Sequence, residues 1–359
     1  VQALTNSPGD NVANYLGNLP KAPQTSPNMS KIYIQAAGTI DRTSIYDYSG
    51  TAGSNEAYSY YLRKNNSTDY LIGTLSVNAN ERIFTNYSMN VPVSAGDFLE
   101  IKRVHPTWVT NPLTNIVGGY ILVNVTDYRY DAFQMMALTN SPADAATNYL
   151  GWNPVAPSTS AARAKINFLY DGQITGAEIY DYSGTAGSNQ SYSYYVRANN
   201  LVDYLISTLS VNTNERVFSN NGLSLSMNSG EYVQVKRVHP TWTTNPLTNI
   251  VGGYLLVNSS QHGYTLAVQA LSSSPTDART VYFGNLPKIP QTTANISKVV
   301  IPVTGAITKA DIYTYSGTAG TSEPWSLYIR KNNAIDYLIS TVSLAASERN
   351  FQNTSLNIP

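Results

Sequence analysis

Cysteine is absent from the 359 residues, so neither disulfides nor thiolate metal sites can hold the fold together. Histidine occurs only 3 times, whereas a zinc site needs three or four converging ligands. The sequence also has no Gly-x-Ser-x-Gly nucleophile elbow and no phosphate-binding loop. We therefore expect a protein that is not an enzyme and that holds no metal and no cofactor.

Charge is also scarce, since charged residues make up 12% of the chain and 22 basic residues balance 22 acidic ones. This balance gives no electrostatic footprint for nucleic acid. There is also no run of 18 apolar residues that could insert into a membrane. The partners that we expect are copies of the chain itself, with surface glycans as an alternative.

Internal repetition is the dominant feature of the sequence. The phrase "ALTNSP" at Ala3 recurs at Ala137, and "ALSSSP" follows at Ala270, which gives offsets of 134 (137 − 3) and 133 (270 − 137) residues. Units of this length are whole domains and not solenoid repeats. The predicted domains span residues 1–134, 135–267 and 268–359.

Within a unit, short runs rich in β-branched and aromatic residues alternate with turn-forming clusters. "AYSYYLRK", "DFLEIKRV" and "VGGYILVNV" are examples of the runs, and "SGTAGSN" and "NPLTN" are examples of the clusters. Seven or eight such runs without a helical period predict an all-β fold of three tandem antiparallel β-sandwiches, jelly-roll-like in topology. We expect "GDNVANYLGN" and "ADAATNYLGW" to be loops.

The third unit is shorter than the other two. Pro359 aligns with Pro92 (359 − 92 = 267), so the unit lacks a counterpart of residues 93–134 and of the last two strands. Either the chain is a fragment, or another copy completes this sandwich by strand addition. For the second case, the expected docking segment is the start of a neighbouring chain, formed by Val1, Gln2, Ala3 and Leu4.

A stretch of 23 residues from Lys102 to Asn124 returns from Lys236 to Asn258 with two changes. It contains a His-Pro-x-Trp sequence and a Gly-Gly pair. We predict that Trp108 and Trp242 anchor a long connection by packing over the sandwich, with ligand contact as the alternative. The glycine pair indicates a bulge or a close backbone approach.

Charged residues recur at equivalent positions in all three units. They comprise Arg63, Arg197 and Arg330, the aspartates Asp69, Asp203 and Asp336, and the Glu-Arg pairs at 81–82, 215–216 and 348–349. This recurrence predicts an Arg–carboxylate network between strands or between domains. The alternatives are solvated ion pairs of little energetic value and a carbohydrate or calcium site. Asp47 and Asp181 are replaced by Thr314 in the third unit, which argues against a shared metal or catalytic role.

Tyrosine is abundant, with 28 residues against 7 phenylalanines. Alternation along "AYSYYLRK" places Tyr58, Tyr60 and Leu62 in the core. Tyr61, Tyr195 and Tyr328 are then expected to face outward beside the recurrent arginines. There they could pack against the next domain, which we favour, or stack on a sugar.

Asn-x-Ser/Thr sequons raise the question of a glycosylated surface. The candidate positions are Asn28, Asn65, Asn66, Asn86, Asn124, Asn189, Asn258, Asn295 and Asn353. In a chain this rich in Asn, Ser and Thr, many sequons arise by chance.

The run from "IYDYSGTAGSN" to "FLEIKRVHPTWVTNP" resembles a β-sandwich repeat of structural proteins from tailed phages and environmental bacteria. The resemblance covers most of each unit and contains no catalytic signature. It implies an extracellular or virion-borne structural role.

Three functions are therefore expected from the sequence. The first is a subunit of an extracellular fibre or helical filament, with sandwiches stacked along its axis and protomers joined head to tail. The second is a phage tail fibre or head-decoration protein that contacts host glycans. The third is a secreted carbohydrate-binding array.

Overall fold

The computed structural model confirms an all-β fold of antiparallel sandwiches. It describes residues 2–5, 9–17, 25–27, 30–34, 36–49, 56–76, 81–110, 115–125, 130–139, 143–151, 158–183, 190–210, 215–244, 249–259, 279–284, 292, 294–299, 301, 304–315, 324–343 and 348–359. Apart from short 3-10 helices such as Ala161–Ala164 and Ala294–Ser297, the regular elements among these residues are strands.

The first unit is a sandwich of two five-stranded sheets. One sheet has the order β1-β10-β4-β7 with β8 beside β4, and the other has the order β2-β9-β5-β6 with β3 beside β9. All of these pairs are antiparallel, and the alternation of early and late strands in each sheet is that of a jelly roll. The bounds are β1 Gln2–Thr5, β2 Ala13–Leu16, β3 Ile32–Tyr33, β4 Gly38–Ser49, β5 Ala57–Lys64, β6 Thr68–Ser76, β7 Glu81–Asn86, β8 Val91–Val93, β9 Phe98–Val104 and β10 Asn115–Val125.

The second unit repeats this topology strand for strand, with sheets β11-β20-β14-β17 plus β18 and β12-β19-β15-β16 plus β13. Its strands are β11 Tyr130–Thr139, β12 Thr147–Leu150, β13 Ile166–Asn167, β14 Gly172–Ser183, β15 Ser191–Ala198, β16 Val202–Ser210, β17 Glu215–Asn220, β18 Leu225–Met227, β19 Tyr232–Val238 and β20 Asn249–Ser259. In the third unit, β21 Ala310–Tyr315 pairs β24 Glu348–Asn353, and β22 Pro324–Lys331 pairs β23 Ile335–Ser343. These four strands correspond to β4, β7, β5 and β6.

Local sequence explains both the buried face and the tight turn of the β5–β6 hairpin. Tyr58, Tyr60 and Leu62 are buried at alternate positions, because successive side chains of a strand point to opposite faces. Asn65 and Asn66 follow with φ of 51° and 56°. Two successive residues at positive φ form the type I′ turn that suits a two-residue hairpin, and asparagine tolerates this conformation. The same Asn-Asn turn closes the hairpins at 199–200 and 332–333.

Three expectations from the sequence need correction. The segment that contains Gln2, Ala3 and Leu4 is β1, which pairs with β10 of its own unit and is therefore not a free docking segment; Val1 lies outside the described residues. The "GDNVANYLGN" and "ADAATNYLGW" stretches are not loops, because they contain β2 and β12, which pair with β9 and β19. Strand β11 starts at Tyr130 and pairs along its whole length with β20, so the second sandwich starts before the expected boundary at 134/135.

Candidate functional site: the contacts between the three units

The first and second units meet through a lysine and a glutamate. Lys31 immediately precedes β3, and its Nζ lies 2.8 Å from Oε2 of Glu215, the first residue of β17. The Lys31 side chain is only 8% exposed and that of Glu215 is 33% exposed. A pair withdrawn this far from solvent is screened less than an ordinary surface pair.

Aromatic rings surround this ion pair. The Lys31 ammonium lies 4.6 Å from the ring centre of Phe98 and 5.7 Å from that of Tyr180, and the rings of Tyr33 and Tyr180 are 5.3 Å apart. Both distances to Lys31 are within the range of a cation–π contact. Burial, together with the negative charge of Glu215, raises the pKa of Tyr180 well above its ordinary value. The contact is thus a compact patch that combines charge and aromatic surface.

Equivalent contacts join the other units in cyclic order. Lys165 reaches Glu348 of the third unit at 2.6 Å, and Lys298 reaches Glu81 of the first unit at 2.7 Å. Each lysine also lies over a tyrosine ring of the next unit. Nζ of Lys165 is 5.0 Å from the ring centre of Tyr313 in β21, and Nζ of Lys298 is 5.7 Å from that of Tyr46 in β4. A head-to-tail contact that returns to its starting unit produces a ring. The three units therefore form a closed ring with approximate threefold arrangement.

The ring corrects the expectation that the sandwiches stack along a fibre axis. In an open stack, the last unit would present its lysine to the next protomer, whereas Lys298 is bound to Glu81 within the same chain. Within this chain, the unit-to-unit contact thus returns from the third unit to the first.

The recurrent Glu-Arg pairs divide their two side chains between the two faces of one strand. Glu81 faces the neighbouring unit, whereas Arg82 is buried in the sandwich core, where its Nη2 lies 3.3 Å from Oδ1 of Asp47. Asp47 and Arg82 are direct cross-strand partners in β4 and β7. One dipeptide thus supplies both the contact between units and an ion pair inside the sandwich.

The core ion pair belongs to a larger buried network. The hydroxyl of Tyr60 donates to Asp47 at 2.6 Å, Nη1 of Arg103 lies 3.9 Å from the same carboxylate, and Nε of Arg82 donates to Tyr58 at 2.8 Å. Burial, followed by the charge of Asp47, raises the pKa of both tyrosine hydroxyls. The second unit repeats this network with Asp181, Tyr192, Tyr194, Arg216 and Arg237.

The third unit changes three members of the network together. Thr314, Trp325 and Leu327 stand where the first unit has Asp47, Tyr58 and Tyr60 (offset 267). Arg349 is retained and buried, and its guanidinium lies 5.6 Å from the centre of the Trp325 ring. The aspartate is therefore a structural partner of core arginines and not part of a surface site.

The connection from β9 to β10, residues 105–114, is held in place by its histidine and its tryptophan. Trp108 is buried, and its Nε1 donates to the carbonyl of Gly9 at 3.1 Å; Nδ1 of His105 lies 3.1 Å from the same oxygen. Burial, followed by the charge of Arg103, lowers the pKa of His105 to about 3. Trp242 and His239 make the same contacts with Ala143. Both tryptophans therefore lie against their own sandwich.

The recurrent arginines lie elsewhere. Arg63 binds Asp69 at 2.9 Å within its own hairpin, and Lys102 reaches the same aspartate at 2.6 Å. Arg197 and Arg330 pair with Asp203 and Asp336 in the same way. Among the described residues, these pairs link strands of one unit, which is the first of the two arrangements expected for the network.

The outward tyrosines accompany these arginines. Nζ of Lys102 lies 5.7 Å from the ring centre of Tyr61, and Lys236 lies 5.5 Å from that of Tyr195, each within one unit. Tyr328 is 54% exposed. The tyrosines described at the contacts between units are Tyr33, Tyr46, Tyr180 and Tyr313. Among the described residues, the outward tyrosines show no contact with a neighbouring unit.

Several sequons occupy positions with a structural reason for asparagine. Asn65 and Asn66 form the type I′ turn. Nδ2 of Asn86 donates to the carbonyl of Leu71 on the neighbouring strand, and Nδ2 of Asn353 donates to that of Leu338. Asn220, which is not in a sequon, donates in the same way to the carbonyl of Leu205. Asn124 and Asn258 lie in β10 and β20, Asn295 lies in a 3-10 helix, and Asn28 and Asn189 are outside the described residues.

Sequence reasoning singled out the glutamates of the ring, Glu81, Glu215 and Glu348, but not the lysines that bind them. A signal was present, because Lys31, Lys165 and Lys298 recur with the same offsets of 134 and 133 as the glutamates. Among the described residues, no group of three or more His, Asp or Glu is placed to hold a metal ion. None of the helices in that part of the chain is long and apolar enough to cross a membrane.

Comparisons with known proteins add little to this geometry. No protein family and no curated protein matches the chain. Among solved structures, the chain is similar to PNGF-II at 8% sequence identity and a TM-score of 0.20. This match covers 66% of this chain and 60% of the PNGF-II chain. It is also similar to PBSX exported protein XepA at 10% sequence identity and a TM-score of 0.18. This second match covers 69% of this chain and 88% of the XepA chain. The chain thus spans about 60% of PNGF-II, and similarities this low carry no argument about function.

Proposed function

We propose that this protein is a non-enzymatic structural subunit of an extracellular or virion-surface assembly, in which one chain acts as a pseudo-trimeric block. The observation that supports the proposal is the cyclic series of Lys–Glu contacts, Lys31–Glu215, Lys165–Glu348 and Lys298–Glu81. Closed rings with heterologous contacts are the usual form of symmetric trimers. A block of this kind fits a threefold position in a shell or at the end of a fibre.

The ring is tested by opening it at the contact between the first and third units, which are not adjacent in the chain. Lys298→Glu should open the ring and increase the radius of gyration measured by small-angle X-ray scattering. The double variant Lys298→Glu/Glu81→Lys should restore the compact value. The matched control is Lys236→Glu, because Lys236 pairs with Asp203 inside one unit. An unchanged radius for Lys298→Glu, or the same increase for the control, would contradict the proposal.

Glycan binding is a second candidate function, supported by the outward tyrosines. Tyr328 is 54% exposed, and the adjacent Arg330–Asp336 pair offers hydrogen-bonding groups beside the ring. An exposed aromatic ring next to polar groups suits the apolar face and the hydroxyls of a sugar. A glycan array should detect binding that Tyr328→Ala removes; no binding, or binding unaffected by this change, would exclude the role for this surface.

A further inference from the structure

Glu100 is a fully buried carboxyl group for which the described part of the chain shows no hydrogen-bond partner. It lies in β9 at 0% exposure, and neither of its oxygens has a hydrogen-bond partner among the described residues. An unpaired buried charge costs several kcal/mol, so a carboxyl in this position is expected to hold its proton. A neutral group with an O–H donor would suit the site.

The second unit shows what the site requires. The counterpart of Glu100 is Gln234 (234 − 100 = 134), which is also fully buried. Its Nε2 donates to Oδ1 of Asn200 at 3.0 Å and to the carbonyl of Ala161 at 3.3 Å. A glutamine is neutral and donates at every pH, whereas a glutamate can donate only when it is protonated.

Strand register places Glu100 between two cations. Arg63 in β5 is its direct cross-strand partner. On the other side Ile32 pairs with Leu99, so the same register brings Lys31 opposite Glu100. Lys31 is the residue that binds Glu215 across the contact, and Nε of Arg63 has no hydrogen-bond partner among the described residues. Both cations are thus within reach of a charge on Glu100.

We propose that Glu100 is a proton-linked switch for the contact between the first and second units. Protonated, it takes the neutral role that Gln234 has in the second unit and leaves Lys31 bound to Glu215. When it releases its proton to solvent, the carboxylate draws Lys31 and Arg63 towards itself and weakens the Lys31–Glu215 pair. The contact between the second and third units has Gln234 in this place and is therefore independent of this proton.

The charges around Glu100 set the pH of the switch. Burial raises the pKa of Glu100 to about 7, Asp69 acts in the same direction, and Arg63 and Lys31 oppose them. The titratable and charged groups that act on it are Lys31 and Tyr33 beside β9, Arg63 on β5 and Asp69 on β6. Glu215 of the second unit binds Lys31, and Lys102 of β9 binds Asp69. Because the folded pKa exceeds that of an unfolded glutamate, the stabilisation that comes from protonated Glu100 is fully present below about pH 4.5 and is lost as the pH rises through about 7.

Hydrogen exchange on the full chain tests this switch, with the second unit as an internal control. We compare the opening of residues 30–34 with that of residues 164–168 between about pH 5.5 and about pH 8.5, after correction for intrinsic exchange. In the wild type, only residues 30–34 should open more often at high pH, by about tenfold or more. Glu100→Gln should abolish this increase, and Gln234→Glu should produce one at residues 164–168. An increase that persists in Glu100→Gln, or appears equally in both segments, would overturn the proposal.

Titration of the Glu100 carboxyl by NMR tests the switch directly in the wild-type protein. Carbon-13 NMR of glutamate-labelled wild type should show a carboxyl signal that is protonated at about pH 5 and is absent from the spectrum of Glu100→Gln. A Glu100 signal that is already ionised at about pH 5 would contradict the switch. Failure of Glu100→Gln to fold would contradict it as well, since the protonated glutamate and glutamine are expected to be interchangeable here.

Discussion

Asp47 and Arg82 face each other across β4 and β7 inside the first sandwich, with a carboxylate oxygen and a guanidinium nitrogen 3.3 Å apart and both side chains almost fully buried. Arg103 approaches the same carboxylate from the opposite sheet at 3.9 Å. One acidic residue therefore compensates two buried cations, and the two sheets are joined through it.

Removing this carboxylate should be costly. Asp47→Asn removes a negative charge that two buried guanidinium groups share, and we expect a loss of about 3–5 kcal/mol in the free energy of unfolding. The matched control is Asp69→Asn, whose partners Arg63 and Lys102 are partly exposed, with an expected loss of about 1 kcal/mol or less. Urea denaturation followed by circular dichroism compares the two. Equal losses would show that the buried network is not a special source of stability.

Trp108 and its neighbour provide a second matched pair. Trp108 is 7% exposed and Val109 is 81% exposed. Trp108→Ala should lower the free energy of unfolding by about 3–5 kcal/mol because it opens a cavity under the connection, whereas Val109→Ala should change it by no more than about 0.5 kcal/mol. Thermal denaturation of both variants, and of Trp242→Ala, measures this. A Trp108→Ala protein as stable as the wild type would favour ligand contact for this side chain.

The glycine pair in β10 allows a test within two adjacent residues. A Cβ on Gly119 would lie 2.3 Å from the carbonyl oxygen of Ser44, whereas a Cβ on Gly118 meets nothing within 4 Å. Gly119→Ala should therefore force β10 and β4 apart and destabilise the first unit by more than about 2 kcal/mol. Gly118→Ala should be neutral or stabilising by about 0.5–1 kcal/mol, because alanine loses less entropy than glycine in a strand. Urea denaturation should rank the variants in this order, and the reverse order would disprove the close approach.

Acid should destabilise the first two units through their buried histidines. Burial lowers the pKa of His105 and of His239 to about 3, whereas an unfolded histidine titrates at about 6.5. Below about pH 6.5 the unfolded chain gains protons that the folded chain does not, so stability falls as the pH drops towards about 3 and is retained above about 6.5. Each histidine contributes up to about 1.4 kcal/mol per pH unit in this window.

The double variant His105→Gln/His239→Gln keeps a donor for the carbonyls of Gly9 and Ala143 without a titrating group. Its urea midpoint should fall less than that of the wild type between about pH 7 and about pH 4. Identical slopes for the two proteins would mean that other groups cause the acid sensitivity.

Sequence patterns were sufficient for elements whose structure is decided locally. The alternation predicted for "AYSYYLRK" is present in β5. The Asn-Asn sequence that follows forms the hairpin turn, so the strand pattern and the turn chemistry agree there. Strand β2 was not predictable in this way. "ANYL" is short and weakly patterned, and it is extended only because β9 offers it a partner from about 90 residues away in the chain.

The ring could not be derived from the repeats alone. A lysine and a glutamate that recur in every unit are equally compatible with three pairs inside the units and with three pairs between them. Only the placement of β3 against the outer face of β14 and β17 decides that Lys31 meets Glu215 and not Glu81 of its own unit. Glu100 was missed for a related reason. Its register places it between Lys31 and Arg63, which bind Glu215 and Asp69, and the sequence does not reveal this arrangement.

Ring closure within one polypeptide changes what each contact has to contribute. Three separate chains held by single Lys–Glu pairs would dissociate on dilution, because each pair is weak and association depends on concentration. In this chain the units are covalently connected, so each contact forms at a fixed, high effective concentration. The pair between Lys298 and Glu81, with both side chains about one third exposed, can therefore close the ring at any protein concentration.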